Sequence, residues 1–215
     1  MKETKNLTLA AYDSIKKMMF NYEIVPGQRL VFIDLAKQLN VSRTPVNNAL
    51  SILAKEGYLD FVPHQGYWVH KLTRVEAESL YEIREILELG IIGKAIRSLT
   101  QDSIKQILEA KKKYENSIKR HVSRELFIMD MEFHGSIVDI AKNEFLSTQY
   151  REISQKIFLR FRVEDLRMQR IDEIVVEHDN LLNAITSKDV AKSTELIKSH
   201  YENSKSNLFS IIFKK

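Results

Sequence analysis

Residues 30–50 read LVFIDLAKQLNVSRTPVNNAL. Leu30, Leu35, Ala36 and Leu39 recur at helical spacing, Asn40-Val41-Ser42 interrupts them, and Val46, Ala49, Leu50 and Leu53 begin a second apolar stripe. Two short amphipathic helices joined by a tight turn have the layout of a helix-turn-helix. Ser42 can cap the second helix and Pro45 suits its first turn. Arg43 and Thr44 then stand at a helix N-terminus, where free backbone N–H groups and the positive end of the helix dipole favour phosphate. The stretch points to contact with double-stranded DNA.

Working outward, a helix is expected from Thr8 to Tyr22, burying Ala11, Ile15, Met18 and Met19 and ended by the turn residues Val25-Pro26-Gly27. Glu56-Gly57 should close the second helix of the motif with a left-handed glycine. Tyr58–Val62 and Gly66–His70 are short aromatic and β-branched runs, and Pro63-His64-Gln65-Gly66 between them reads as a hairpin connection. Three helices and a hairpin make a winged helix-turn-helix over residues 1–72, with its wing tip near His64–Gly66. From Arg74 onward there is no proline, and glycine occurs only at 90, 93 and 135. Stripes such as Leu80, Ile83, Leu87 and Ile91, or Phe127, Met131 and Ile137, run at helical spacing. Breaks fall near Ser98–Gln101, His121–Ser123, Ala141–Asn143, Met168–Asp172 and Ser187–Asp189. Residues 73–215 should form an all-α bundle of six or seven helices, so the fold class is mainly α.

Composition narrows the class. Cysteine is absent, which removes disulfides and thiolate metal ligands. No run approaches the roughly 20 apolar residues of a membrane span, and the opening MKETKNLTLA is too polar for a signal peptide, so a cytoplasmic protein is expected. Residues 1–72 hold nine Lys and Arg against six Asp and Glu, and the remainder 24 against 23. The small basic excess sits with the helix-turn-helix, as phosphate attraction requires, although scatter in a lysine-rich chain gives the same balance.

A second constellation lies in the bundle. Asp130 and His134 stand four residues apart on one helix face, a face that also carries Phe127, Met131 and Ile137. His178 opens a buried stripe with Leu181, Leu182 and Ile185, and His200 sits among Leu196, Ile197 and Leu208 on the last helix. Three imidazoles and a carboxylate from three helices are the ligand types of a Zn, Ni, Mn or Fe site with open positions for water or an anion. Spacing alone does not make the helices converge, and each residue separately fits an ordinary surface pair or a satisfied core histidine.

The chain resembles the GntR family of bacterial transcription regulators, in the FadR-like branch with an FCD effector domain. The resemblance rests on Val25-Pro26-Gly27-Gln28-Arg29-Leu30, Asp34-Leu35-Ala36, Val41-Ser42-Arg43-Thr44-Pro45-Val46, Ala49-Leu50, Leu53, Glu56-Gly57 and Gly66. In the bundle it rests on Leu80-Tyr81-Glu82-Ile83-Arg84 with Leu87-Glu88, Asp130-x-x-Phe133-His134, Asn143, Glu177-His178 and His200. It implies a divalent metal, one per chain, on Asp130, His134, His178 and His200, with a small organic acid on the open metal positions and Arg84 beside it as a carboxylate grip. The alternative for Arg84 is an i,i+4 salt bridge to Glu88. The resemblance also implies a homodimer, usually a repressor, on a pseudo-palindromic operator. Arg43 would reach bases, Ser42 and Thr44 phosphate, and Gly66 would let the wing approach DNA. Two departures stand out. The family usually has Arg-Glu where this chain has Asn47-Asn48, and often an arginine at Ile33. Asn47 remains a candidate DNA contact, with asparagine favouring adenine where arginine favours guanine. Two rival readings remain: a regulator for which the metal itself is the signal, and a metal-dependent enzyme. Against the enzyme, the sequence offers no general base beside the cluster, no nucleophile motif and no glycine-rich phosphate loop.

Overall fold

The computed structural model describes residues 2–118, 123–160 and 168–213. The chain divides into two compact units, the first of Met1–Leu72 with a short segment beginning at Leu159, the second of the rest of the chain from Thr73.

The first unit contains α1 (Lys2–Phe20), β1 (Arg29–Leu30), α2 (Phe32–Gln38), α3 (Arg43–Lys55), β2 (Leu59–Val62) and β3 (Gly66–Val69). It is a winged helix-turn-helix. Ile15, Met18 and Met19 of α1 pack in a core with Leu35 and Ala36 of α2 and Val46, Ala49, Leu50 and Leu53 of α3. The tight turn of the motif has a clear chemical origin. Asn40 adopts a left-handed φ of 51°, so Asn40 N–H reaches the Lys37 carbonyl at 3.2 Å and Val41 N–H the Ala36 carbonyl at 3.0 Å. Gly57 does the same after α3, at φ 79°, with Tyr58 N–H on the Leu53 carbonyl at 2.9 Å. Both are the paired backbone closures that a left-handed residue allows at a helix end. Ser42 holds the extended N-cap conformation but makes no side-chain cap bond. The reason is Pro45, the third helical residue, which lacks one of the N–H groups such a cap would bind.

The wing pairs β2 with β3 antiparallel, Leu59 opposite Val69 and Val62 opposite Gly66. A third strand absent from the sequence reading, β1, pairs with β3 through Arg29 opposite Trp68. Helix α1 runs from Lys2 to Phe20 rather than from Thr8 to Tyr22, and it stops two residues early where Tyr22 takes a left-handed φ of 55°.

The second unit has six helices among the described residues: α4 (Arg74–Arg97), α5 (Gln101–Ile118), α6 (Ser123–Asp139), α7 (Glu144–Arg160), α8 (Met168–Thr186) and α9 (Val190–Ile212). Thr73 and Glu76 cap α4 reciprocally, and Asp189 caps α9. The expected break at His121 falls outside the described residues. The break expected at Met168–Asp172 is instead the first turn of α8.

The larger correction concerns α4. Of the stripe Leu80, Ile83, Leu87 and Ile91, Ile91 is buried, but Ile83 is exposed and Leu80 and Leu87 are half-buried. Tyr81, Arg84, Glu88, Ile92 and Ala95 are buried, whereas Ile83 and Ile86 are 45% and 59% exposed. Two charged side chains turn inward because the middle of this bundle is polar. No helix among the described residues is long and apolar enough to cross a membrane.

Leu50, with no exposed surface, tests the docking of α3. Leu50→Ala should destabilise the N-terminal unit by about 2–5 kcal/mol in denaturant unfolding, and a cost below about 1 kcal/mol would mean that α3 is not packed as described.

Candidate functional site

Four ligand-type atoms, one each from Asp130, His134, His178 and His200, lie within 4.8 Å of one another. The four residues that the sequence could place only on separate helix faces are therefore brought together, by α6, α8 and α9. The three histidines are buried. Nε2 of His134 and Nε2 of His200 face each other at 3.0 Å. Asp130 Oδ1 is 3.2 Å from Nε2 of His178 and 3.9 Å from Nε2 of both other rings.

What stands behind each ring fixes its tautomer. Nδ1 of His134 is 2.7 Å from Glu88 Oε1, and Nδ1 of His200 is 2.7 Å from Glu177 Oε2. Burial pushes the Glu88 carboxyl up, but His134 and Arg84 outweigh it and hold it below the usual range. Burial likewise raises Glu177, and its bonds to His200 and Arg170 bring it down to about 2. An ionised carboxylate only accepts, so each Nδ1 carries the proton. Burial also pulls His200 down, and it pulls His178 down to about 4 against the opposing pull of Asp130. In neutral rings, the Nε2 lone pairs of His134 and His200 point at each other. That is repulsive unless a cation or a proton lies between them.

His178 is held differently. Among the described residues neither of its ring nitrogens has a hydrogen-bond partner, although both are buried. The Asp130 oxygen at 3.2 Å is close but lacks hydrogen-bond alignment. Its ring is positioned by packing, with Phe133 at 4.2 Å and Tyr114 at 4.9 Å between centroids. A buried imidazole without partners is costly, and a metal ion would satisfy it. Metal–ligand bonds of about 2.1 Å allow ligand atoms up to roughly 4 Å apart; the four quoted separations meet that condition, and the remaining pairs, within 4.8 Å, would have to draw in slightly around an ion. The donor set fits a divalent transition metal. Burial raises the Asp130 carboxyl, but the surrounding imidazoles hold it well below its ordinary value, so it is available as an anionic ligand.

Arg84 is buried beside this cluster, its Nη2 3.5 Å from Asp130 Oδ2. Its Nε donates to the Tyr150 hydroxyl at 2.8 Å, and that hydroxyl donates in turn to Glu88 at 3.2 Å. The i,i+4 alternative is thus replaced by a relay through Tyr150. Tyr201 also donates to Glu88, at 2.7 Å. Arg170 clamps Glu177 through both terminal nitrogens, at 2.7 and 2.8 Å. Tyr81, Arg84, Tyr114, Asp130, Arg170 and His200 are among the residues that line a cavity in which about 40 Å³ is open to the centre of a water molecule. Ser204, Asn207 and Leu208 continue its wall along α9. Sequence reasoning gave Glu88 only a salt bridge to Arg84, gave Glu177 no role beyond the family pattern, and missed Tyr150, Tyr201 and Arg170. Each is a polar residue turned inward at helical spacing, a signal that becomes readable only when the facing helix is known.

In the first unit, Ser42, Arg43, Thr44, Asn47 and Asn48 form the exposed side of α3, opposite Pro45, Val46, Ala49 and Leu50. Gly66 lies at the wing turn with φ 91°, and Arg29 Nε donates to the neighbouring Gln65 carbonyl at 2.9 Å. His70, given no metal role by its position, lies against Asp60 at 2.8 Å.

Residues 79–203 match the FCD domain, and residues 7–69 match the bacterial regulatory proteins of the gntR family. The chain belongs to the GntR family of transcriptional regulators, in its FCD-containing branch, and is a DNA-binding regulator rather than an enzyme. It is 25% identical over 197 residues to the uncharacterized HTH-type regulator YdhC of Bacillus subtilis, covering 90% of this chain and 87% of that one. It is 32% identical over 140 residues to the Nta operon transcriptional regulator of Aminobacter aminovorans, covering 65% and 66%. The solved structure of Escherichia coli McbR/YncC shares the fold, with a TM-score of 0.81, 22% identity and coverage of 95% and 97%.

The carboxylates behind the rings can be tested separately from the ligands. Glu88→Gln and Glu177→Gln should each weaken divalent metal binding about 10–100-fold in competition titrations while leaving the helical circular dichroism intact. Unchanged affinity in both variants would refute the tautomer argument.

Proposed function

We propose that this protein is a homodimeric repressor whose hold on a pseudo-palindromic operator is set by a small organic acid bound at a metal in its C-terminal bundle. The observation that carries the metal and effector reading is the cluster of Asp130, His134, His178 and His200, in which a buried imidazole has no aligned hydrogen-bond partner among the described residues and the Nε2 atoms of the two others face each other.

Charge supports an anionic effector. Glu88, Asp130 and Glu177 bring three negative charges into the cluster, and Arg84 and Arg170 bring two positive ones. With neutral imidazoles the balance is one negative charge. A divalent ion reverses it to one positive charge, which a single carboxylate neutralises inside a low-dielectric bundle. Water or that carboxylate would occupy the coordination positions left free by the four protein ligands, with the Arg84 guanidinium beside them. The modest cavity favours a small acid. When bound, the metal supplies a fixed positive charge to hold the anion. The residues around it supply orientation, and the pocket wall excludes solvent.

A homodimer is supported by the outer face of α4. Val75, Ser79, Ile83, Ile86 and Gly90 share one exposed stripe, and a side chain added at Gly90 would meet nothing within 4 Å. An apolar stripe with a glycine at its end suits close approach of a second copy. On DNA, α3 of each protomer would enter the major groove, with successive half-sites one helical turn apart. The second reading, in which the metal is the signal, shares the same ligand cluster and differs in how readily the ion exchanges.

The first test is metal content. The purified protein should carry about one equivalent of divalent metal per chain, and the double variant His178→Ala, His200→Ala should lose it. Wild-type protein that stays metal-free when offered Zn, Ni and Mn would overturn the metal reading and leave the DNA-binding unit untouched. A metal that exchanges freely at low concentration and alone changes operator affinity would favour the metal-sensing reading. Arg43→Ala should weaken operator binding by about 1–3 kcal/mol in gel-shift titrations, and an unchanged affinity would remove α3 as the reading helix.

A further inference from the structure

The groove-facing side of α3 carries unusually little charge for a surface that meets DNA. Across Arg43–Lys55 the basic residues are Arg43, in the first turn, and Lys55, in the last. Between them the exposed positions are Thr44, Asn47 and Asn48. Asn47 stands four residues after Arg43 and Asn48 four after Thr44, so the two asparagines extend two adjacent rows that begin at the helix N-terminus. Neither amide is tied to another group among the described residues.

The N-terminus of α3 supplies the anchor for a reading frame. The Ser42 hydroxyl is not used as a cap and Pro45 has no N–H, so the Ser42 side chain and the first backbone N–H groups of α3 are free to take a phosphate. From that fixed point Arg43 is positioned to donate to guanine, whose O6 and N7 match a guanidinium fork. An asparagine amide both donates and accepts, and that pairing matches N7 and N6 of adenine. Four residues of helix rise about 6 Å, and successive base pairs are stacked about 3.4 Å apart. With α3 laid along the major groove, the row from Arg43 to Asn47 would span roughly two base-pair steps.

We propose that Asn47 is a specificity-determining residue of this regulator, reading an adenine two base pairs from the guanine read by Arg43 in each operator half-site. Asn48, in the adjoining row, contacts the neighbouring base pair or its phosphate. The inference rests on the DNA-binding role of the family and on α3 as the reading helix. It assigns the chemistry of the operator, which neither of those does.

The test is selection of bound duplexes from a randomised DNA library, with the full-length, metal-replete wild type beside Asn47→Ala and Asn47→Arg. The wild type should enrich half-sites that hold a guanine and an adenine two base pairs apart, and replacing that adenine by guanine should lower affinity tenfold or more. Asn47→Ala should keep the guanine and lose the preference for adenine. Asn47→Arg should shift the same position toward guanine, a gain that a merely misfolded variant does not give. A wild-type consensus without adenine at that spacing, or variants that enrich the wild-type sequence unchanged, would overturn the assignment while α3 remained the reading helix. Failure of the wild type to retain any duplex would instead bring down the operator-binding reading itself, and this inference with it.

Discussion

Two ring nitrogens that oppose each other at 3.0 Å, on His134 and His200, set the terms for the whole bundle. Each ring is locked from behind by an ionised carboxylate, so neither can turn its proton toward the other without breaking a buried, charge-assisted bond. Glu88 reaches that position from α4 and Glu177 from α8, while the rings come from α6 and α9. Four helices are therefore tied to one electrostatic conflict. Arg84 inside α4 follows from the same constraint. A buried Glu88 and Asp130 need a cation nearby, and a guanidinium that also stacks between Tyr150 and Tyr201, 5.4 and 5.2 Å from their centroids, can be desolvated at lower cost than an ammonium.

The polar centre also explains where the sequence was readable and where it was not. The helix-turn-helix was legible because its signals are local: period, then Asn40, then Gly57. The strand β1 was not, since two residues, Arg29 and Leu30, carry no period at all. In the bundle, the helix count followed from spacing, but the face of α4 was misread because the usual rule places Ile83 inside and Arg84 outside. The interior here accepts charge, and the exterior of α4 carries Ile83 and Ile86. Arg170 and Asp172 imitated a polar break for a related reason. Arg170 is buried 3% exposed because Glu177, two turns along the same helix, holds it. Periodicity can say that His178 and His200 face inward. It cannot say that they face each other, since convergence depends on the packing of separate helices.

Linking such a centre to DNA requires no special pathway, only unequal affinity. A metal or anion bound equally well by two arrangements of the bundle would shift nothing, however tightly it bound. The cluster offers a source of inequality. With no cation or proton between them, the Nε2 lone pairs of neutral His134 and His200 rings would repel. On the proposed reading, a bound ion would hold the three rings and Asp130 in one geometry, and an anion would engage that geometry through the ion and Arg84. The occupied bundle would then be narrower in its allowed packings than the bare one, and any difference in operator affinity between those packings would become the regulatory signal.

The DNA-binding unit argues from the other side for control through specificity. Its excess of basic over acidic residues is small, and the reading face of α3 carries a single guanidinium before its last turn. Counterion release scales with the number of phosphates neutralised, so this unit gains little affinity that is indifferent to sequence. On the proposed homodimer, what remains would be the fit of the helix N-terminus to one phosphate and of a few side chains to base edges, which would depend on angstrom-scale placement in both half-sites at once. A head that binds mainly through placement is released by a small change in the spacing of two protomers, whereas one that binds mainly through charge would slide and hold. On that reading, the modest charge of residues 1–72 would let a conformational effector suffice.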